Sequence, residues 1–279
     1  RCFVDLGGTG MRLYALAIYL FLYIPIGIIA LFSLNAGRHA SQFTGFSVQW
    51  YGKALSNPFV MDAFKVSLTV AALSATLATV AGTMAALALP SLRGRMRVLF
   101  DAALYVAVMV PGIVIVIATL IALVTVFGWI NPVLASLWPS DPPPQLSLGL
   151  GSLVLAHGLF SMALVVIIVR ARVAGMDRSL TEASADLGAT PWGTFTQVTL
   201  PQIAPAVLAG FLLSFTFSFD DFIIAFFVAG PNTTLPIYVF SSIRRGVTPE
   251  INAIGTMVMT VSLILLITAQ GILQRRRNV

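Results

Sequence analysis

The sequence predicts an all-α integral membrane protein with six transmembrane helices, and three observations carry that reading. Only 9% of its 279 residues are charged and 58% are hydrophobic, whereas a soluble domain carries about 25% charged residues. Six apolar runs, near 12–34, 63–89, 99–127, 149–170, 205–229 and 252–273, are long enough to cross roughly 30 Å of hydrocarbon. None shows the two-residue alternation of a barrel strand, and helices satisfy their own backbone groups in lipid.

The chain starts without Met and carries Gly7-Gly8-Thr9-Gly10, so residues 1–11 read as a disordered leader or a start-site artefact. Residues 12–64 hold the first span, with a kinking Pro25, and an outer loop in which Trp50-Tyr51 suits a lipid–water boundary. In the second span Ser74, Ala78, Gly82 and Ala86 recur every four residues, a small-residue stripe that lets another helix approach closely. Pro111-Gly112 breaks the third span, and Ser140-Asp141 followed by Pro142 to Pro144 makes a stiff outer loop. His157, inside the fourth span, reads as a neutral imidazole hydrogen-bonded between helices.

Between the fourth and fifth spans lies a polar insert, Ser179 to Pro201. Ser179-x-x-Glu182 fits a capping box. Leu180, Ala183, Ser184 and Leu187 then share one helical face, with Glu182 and Asp186 pointing elsewhere. Gly188 stops that helix, and Thr190-Pro191 supplies the cap and first residue of a second one. The fifth span is the most polar. Asp220 and Asp221 lie well inside its expected limits, and Ser214, Ser218 and Asp221 fall on one polar stripe.

Charge sets the orientation. With both termini inside, eleven of the 16 basic residues, among them Arg93, Arg95, Arg97, Arg170 and Arg172, face the cytoplasm. The insert is then cytoplasmic as well. The basic residues are scattered among short loops, so the sequence pI of about 10.0 reports topology, and nucleic acid is excluded as a partner. A lone Cys2 offers neither an intrachain disulfide nor a metal site. No G-x-x-x-x-G-K-[ST] loop is present, so the chain has no ATP site of its own.

Glu182-Ala183-Ser184, three residues, Gly188, nine residues, then Val198-x-Leu200-Pro201 resembles the EAA loop of ABC importer permeases. Ser stands at the third position and Val at the Ile position; every spacing is met. Ser214 to Asp221, Phe227 to Pro231, Leu235-Pro236 and Ile243 to Ala253 are similar to the polyamine branch, the second permease subunit of spermidine/putrescine importers. The resemblance implies a type I importer permease fold with its core over 65–268 and a cytoplasmic tail over 269–279, in a bacterial inner membrane. It implies ATPase coupling through Glu182, Ala183, Ser184, Gly188, Leu200 and Pro201. The implied partners are a second permease, two cytoplasmic ATPase subunits that hold ATP and Mg, and an external solute-binding protein; no cofactor belongs to this chain. The acidic pair favours a polycation, with Asp221, Asp220, Ser214 and Ser218 along its route. Aminoethylphosphonate, iron and sulfate importers share the branch, and a secondary transporter is the alternative class.

Overall fold

The computed structural model describes residues 8–37, 42–138, 142–177 and 179–277. The helices follow as α1 (Gly8–Ser33), α2 (Gln49–Ser56), α3 (Pro58–Ala88), α4 (Gly94–Met109), α5 (Gly112–Leu137) and α6 (Leu150–Ala174). After these come α7 (Ser179–Asp186), α8 (Pro191–Thr194), α9 (Leu200–Asp220), α10 (Ile223–Val228), α11 (Leu235–Ile243) and α12 (Pro249–Arg277). One isolated bridge, Asn35 to Phe46, is the sole strand-like pairing among the described residues. Packing divides the chain into two compact units, Arg1–Met61 with Val239–Gly271, and Asp62–Tyr238 with Ile272–Val279.

Among the described residues five helical stretches are long and apolar enough to cross a membrane: Gly10–Ser33, Pro58–Ser91, Gly112–Leu137, Leu150–Ala174 and Pro191–Asp220. The sixth expected span, 252–273, falls within α12, Pro249–Arg277, of which Pro249–Ile264 is the apolar stretch among the described residues. Helix α1, which holds the first span, begins at Gly8, inside the stretch read as a leader; residues 1–7 lie outside the described residues. The run 99–127 is two helices rather than one. Val110 and Pro111 are extended, with ψ of 134° and 132°, because a residue before proline is pushed out of the α region and proline has no N–H to continue the ladder.

In the first unit the loop after α1 is built around Asn35. Its side chain donates to Gln42 O at 2.7 Å and accepts from Thr44 N at 2.9 Å. Trp50 is buried, and its indole N–H donates to Asn35 O at 2.7 Å. That bond gives Trp50 a structural role within the loop, while Tyr51 Oη meets Ser33 Oγ at 2.7 Å.

The second unit is assembled on α6, with Leu153, His157, Val165, Val166 and Val169 in its core. The small-residue stripe of α3 packs here, as expected of it. A Cβ added to Gly82 would come within 2.8 Å of Val165 Cβ, and one on Gly210 within 3.3 Å of Val165 Cγ1. Val165 thus occupies room left by a glycine on each of two neighbouring helices, α3 and α9.

Candidate functional site

Two polar regions of the second unit stand out, one at each end of α9. The first is the insert. α7 ends where Gly188 takes φ +78°, a left-handed angle that glycine adopts without steric cost. Gly188 N–H bonds to Ala185 O at 2.9 Å and Ala189 N–H to Ser184 O at 3.1 Å. This pair is the Schellman pattern, which satisfies carbonyls the helix end leaves open. Thr190 Oγ1 then accepts from Gly193 N at 3.1 Å with Pro191 as first helical residue, matching the cap read from the sequence. Ser184 Oγ and Thr194 Oγ1 meet at 3.0 Å and tie the two short helices together. At the start of α7 Asp177 Oδ1 accepts from Ser179 N–H at 2.9 Å. Hydrogen bonds from the Ser179 backbone, and then its side chain, hold the Asp177 carboxyl below the usual carboxylate range.

α8 runs without a break into a π-helical turn, Phe195–Thr199, and then into α9. The second helix of the insert is therefore continuous with a membrane-crossing helix, with Leu200 and Pro201 at the junction. Arg172 Nε donates to Gln202 O at 2.9 Å, and Arg170 pairs with Asp101 of α4. Those bonds fix the ends of α4, α6 and α9 beneath the insert. No residue of α7 is buried. Leu187 is 89% exposed, Trp192 72% and Leu180 50%. The apolar face read from the sequence is present, and its Leu180 and Leu187 are left exposed among the described residues.

The second region is the far end of α9. The helix stops at Asp220; Asp221 is extended, with ψ 119°, and its Oδ1 accepts from Ile224 N at 2.6 Å. Aspartate competes for backbone N–H groups and caps a new helix in preference to continuing an old one. The carboxylates therefore end the span instead of lying well inside it. Asp220 is exposed and Asp221 half-buried. Ser214 and Ser218 are 0% and 5% exposed, so the expected stripe is divided. Ser218 Oγ accepts from Ser74 Oγ at 2.8 Å and meets His157 Nδ1 at 3.0 Å. This chain of bonds joins α3, α9 and α6 inside the unit, and it holds His157 between helices as the sequence suggested.

Beyond the break, Ser152 Oγ donates to Val228 O at 2.7 Å and Ser67 Oγ accepts from Leu235 N at 2.8 Å. Gly230 turns at φ +56°, with its Cβ position 2.2 Å from Leu148 O; no side chain fits there. Sequence reading missed the Asp101–Arg170 pair. The signal was available, since both charges stand at ends of apolar runs on the side counted as cytoplasmic. No group of three or more potential metal ligands occurs among the described residues.

Crossing helices, an uncovered helical insert at one end and an acidic break at the other define a multi-pass membrane transport subunit. The chain belongs to the family of binding-protein-dependent transport system inner membrane components, which residues 78–279 match. It is thus a permease subunit of an ABC importer, with a transport rather than a catalytic role. It is 39% identical over 244 residues to the putrescine transport system permease protein PotI of Escherichia coli (strain K12), covering 86% of this chain and 82% of that protein. It is 36% identical over 255 residues to the spermidine/putrescine transport system permease protein PotC of the same strain, covering 91% and 90%. A bacterial alginate ABC transporter, solved in complex with an alginate pentasaccharide-bound periplasmic protein, has the same fold at TM-score 0.70 and 16% identity, over 95% of this chain and 93% of that one.

Proposed function

We propose that this chain forms half of the translocation pathway of an ATP-driven polyamine importer. One observation carries the substrate class: relatives at 36–39% identity over most of the chain are permeases named for putrescine and spermidine. The acidic end of α9 is consistent with it, because an exposed Asp220 beside Asp221 attracts a cation. The pathway residues of this reading are Asp220 and Asp221, with Ser214 and Ser218 supporting them from the helix packing behind.

The permease core is 65–268, with six spans and both termini cytoplasmic. The partners are a second permease chain, two ATPase subunits that bind ATP and Mg, and an external binding protein that delivers solute at the acidic end. The EAA loop couples the cycle through Glu182, Ala183, Ser184, Gly188, Leu200 and Pro201. ATPase closure moves α7 and α8, and the unbroken run into α9 passes the displacement to the carboxylates. Preferential contact of the ATPase dimer with one state of the helices supplies the driving force.

Uptake of labelled putrescine and spermidine tests this, in cells expressing the chain with its partner subunits. Uptake should collapse when ATP is depleted while the proton gradient is held. Excess unlabelled polyamine should compete, whereas aminoethylphosphonate, sulfate and iron should not. Uptake that follows the proton gradient would identify a secondary transporter, and competition by one of the other solutes would reassign the substrate.

A further inference from the structure

We propose that the crevice between α4 and α6 binds an anionic phospholipid, with its phosphate at Arg97 and Arg170 and its acyl chains in the apolar space beyond. Arg97 and Arg170 line a pocket of about 200 Å³ with Leu89, Pro90, Val173 and Ala174. Asp101 is the acidic partner found for either arginine, at 4.0 Å from Arg97 Nε and in direct contact with Arg170. One carboxylate between two guanidinium groups leaves a positive charge uncompensated. Arg93 and Arg95, exposed at the start of α4, add to it and have no ion pair among the described residues. Guanidinium groups bind phosphate through forked, charge-assisted hydrogen bonds. Basic pockets between membrane helices at a bilayer surface suit acidic headgroups.

The same two helices line a second cavity, of about 910 Å³, together with α5 and α10. Counting from Arg97, residues Phe100, Leu104 and Ala107 follow on one face of α4; counting back from Arg170, Val166 and Ala163 follow on α6. All five line this cavity, so the basic pocket lies one to two helical turns from its lining along the same faces of α4 and α6. Its volume is at the upper end of the ~300–1,000 Å³ typical of ligand cavities. The walls are apolar save Thr119, whose hydroxyl is already bonded to Ile115 O at 2.8 Å. A polyamine would find no carboxylate inside and like charge at the basic pocket. An amphiphile with an anionic head and hydrocarbon tails matches both parts.

The importer complex containing this chain, purified in detergent and depleted of lipid, provides the test. Native mass spectrometry would measure retention of dioleoylphosphatidylglycerol against dioleoylphosphatidylcholine at equal concentration. The phosphatidylglycerol should be held and the phosphatidylcholine lost. Arg97→Gln, a change at a half-exposed side chain, should weaken phosphatidylglycerol retention roughly tenfold, as expected for one charge-assisted hydrogen bond. Ala107→Phe should weaken retention by narrowing the crevice where the acyl chains would lie. Inorganic phosphate at millimolar concentration should leave the melting temperature unchanged, while phosphatidylglycerol raises it. Equal retention of the two lipids, unchanged retention in Arg97→Gln, or stabilisation by inorganic phosphate alone would overturn the assignment. So would efficient crosslinking of an Ala107→Cys chain to the second permease, since the crevice would then hold a protein helix.

Discussion

At Gly188 only the backbone angle discriminates between side chains, because a Cβ built there meets nothing within 4 Å. The tolerance series is therefore set by the left-handed region, which costs an L-residue about 1–2 kcal/mol and is least unfavourable for Asn. Gly188→Asn should keep the turn, while Gly188→Val should unwind the end of α7 and displace Leu187 from the exposed face. Both chains should insert, and co-purification of the ATPase subunits should be normal in the first and lost in the second. Equal ATPase yield from both would remove Gly188 from the coupling element. Asp221 needs a different pair of substitutions, because it caps α10 as well as carrying charge. Asparagine caps as well as aspartate, whereas alanine loses about 0.5–2 kcal/mol of helix stability. Asp221→Asn should therefore lower polyamine uptake with unchanged melting temperature, and Asp221→Ala should lower both. Normal uptake by Asp221→Asn at matched expression would confine Asp221 to capping.

Elements add their own constraint, clearest where α3 crosses α6. Gly82→Ala should destabilise the chain by about 1–3 kcal/mol through overpacking against Val165, 2.8 Å from the new methyl, with Met162 O at 3.1 Å. Combining it with Val165→Ala should restore part of the melting temperature. Additive losses would show that the two positions do not share the space. The stripe containing Gly82 was legible in the sequence because its spacing matches the helical repeat. Gly188 and Thr190-Pro191 were legible because cap chemistry is local. The ends of the long helices were less so. Hydropathy carries the run 99–127 straight across Pro111, and it carries the fifth span past Asp221 to the apolar residues of α10. In both places a single residue reassigns backbone hydrogen bonds, which hydropathy does not register. The separation of Ser214 and Ser218 from the carboxylates was hidden for another reason. The partners of Ser218, Ser74 and His157, come from helices 144 and 61 residues away in sequence.

The whole molecule is oriented by its charges, and the geometry makes that orientation testable. α9 has 21 residues, about 32 Å at 1.5 Å per residue, enough to place the insert and the Gly230 turn on opposite faces of the hydrocarbon layer. The cluster Arg93, Arg95, Arg97, Arg170 and Arg172 gathers at the end of α4 and α6 that Arg172 ties to the start of α9. The positive-inside rule predicts that this end is cytoplasmic. Cys2 is the sole cysteine, so it serves as a probe in the natural chain, and other single cysteines can be placed in a Cys2→Ser background. A membrane-impermeant maleimide applied to right-side-out vesicles should label Thr233→Cys, and should label Ala185→Cys only after the membrane is opened. Cys2 and Asn278→Cys should behave like Ala185→Cys, because an even number of crossings returns the chain to its starting side. Labelling of Asn278→Cys from outside, with Cys2 protected, would mean that α12 does not cross and that five spans are the full number. Labelling of Ala185→Cys from outside would invert the chain and place the insert out of reach of any cytoplasmic ATPase.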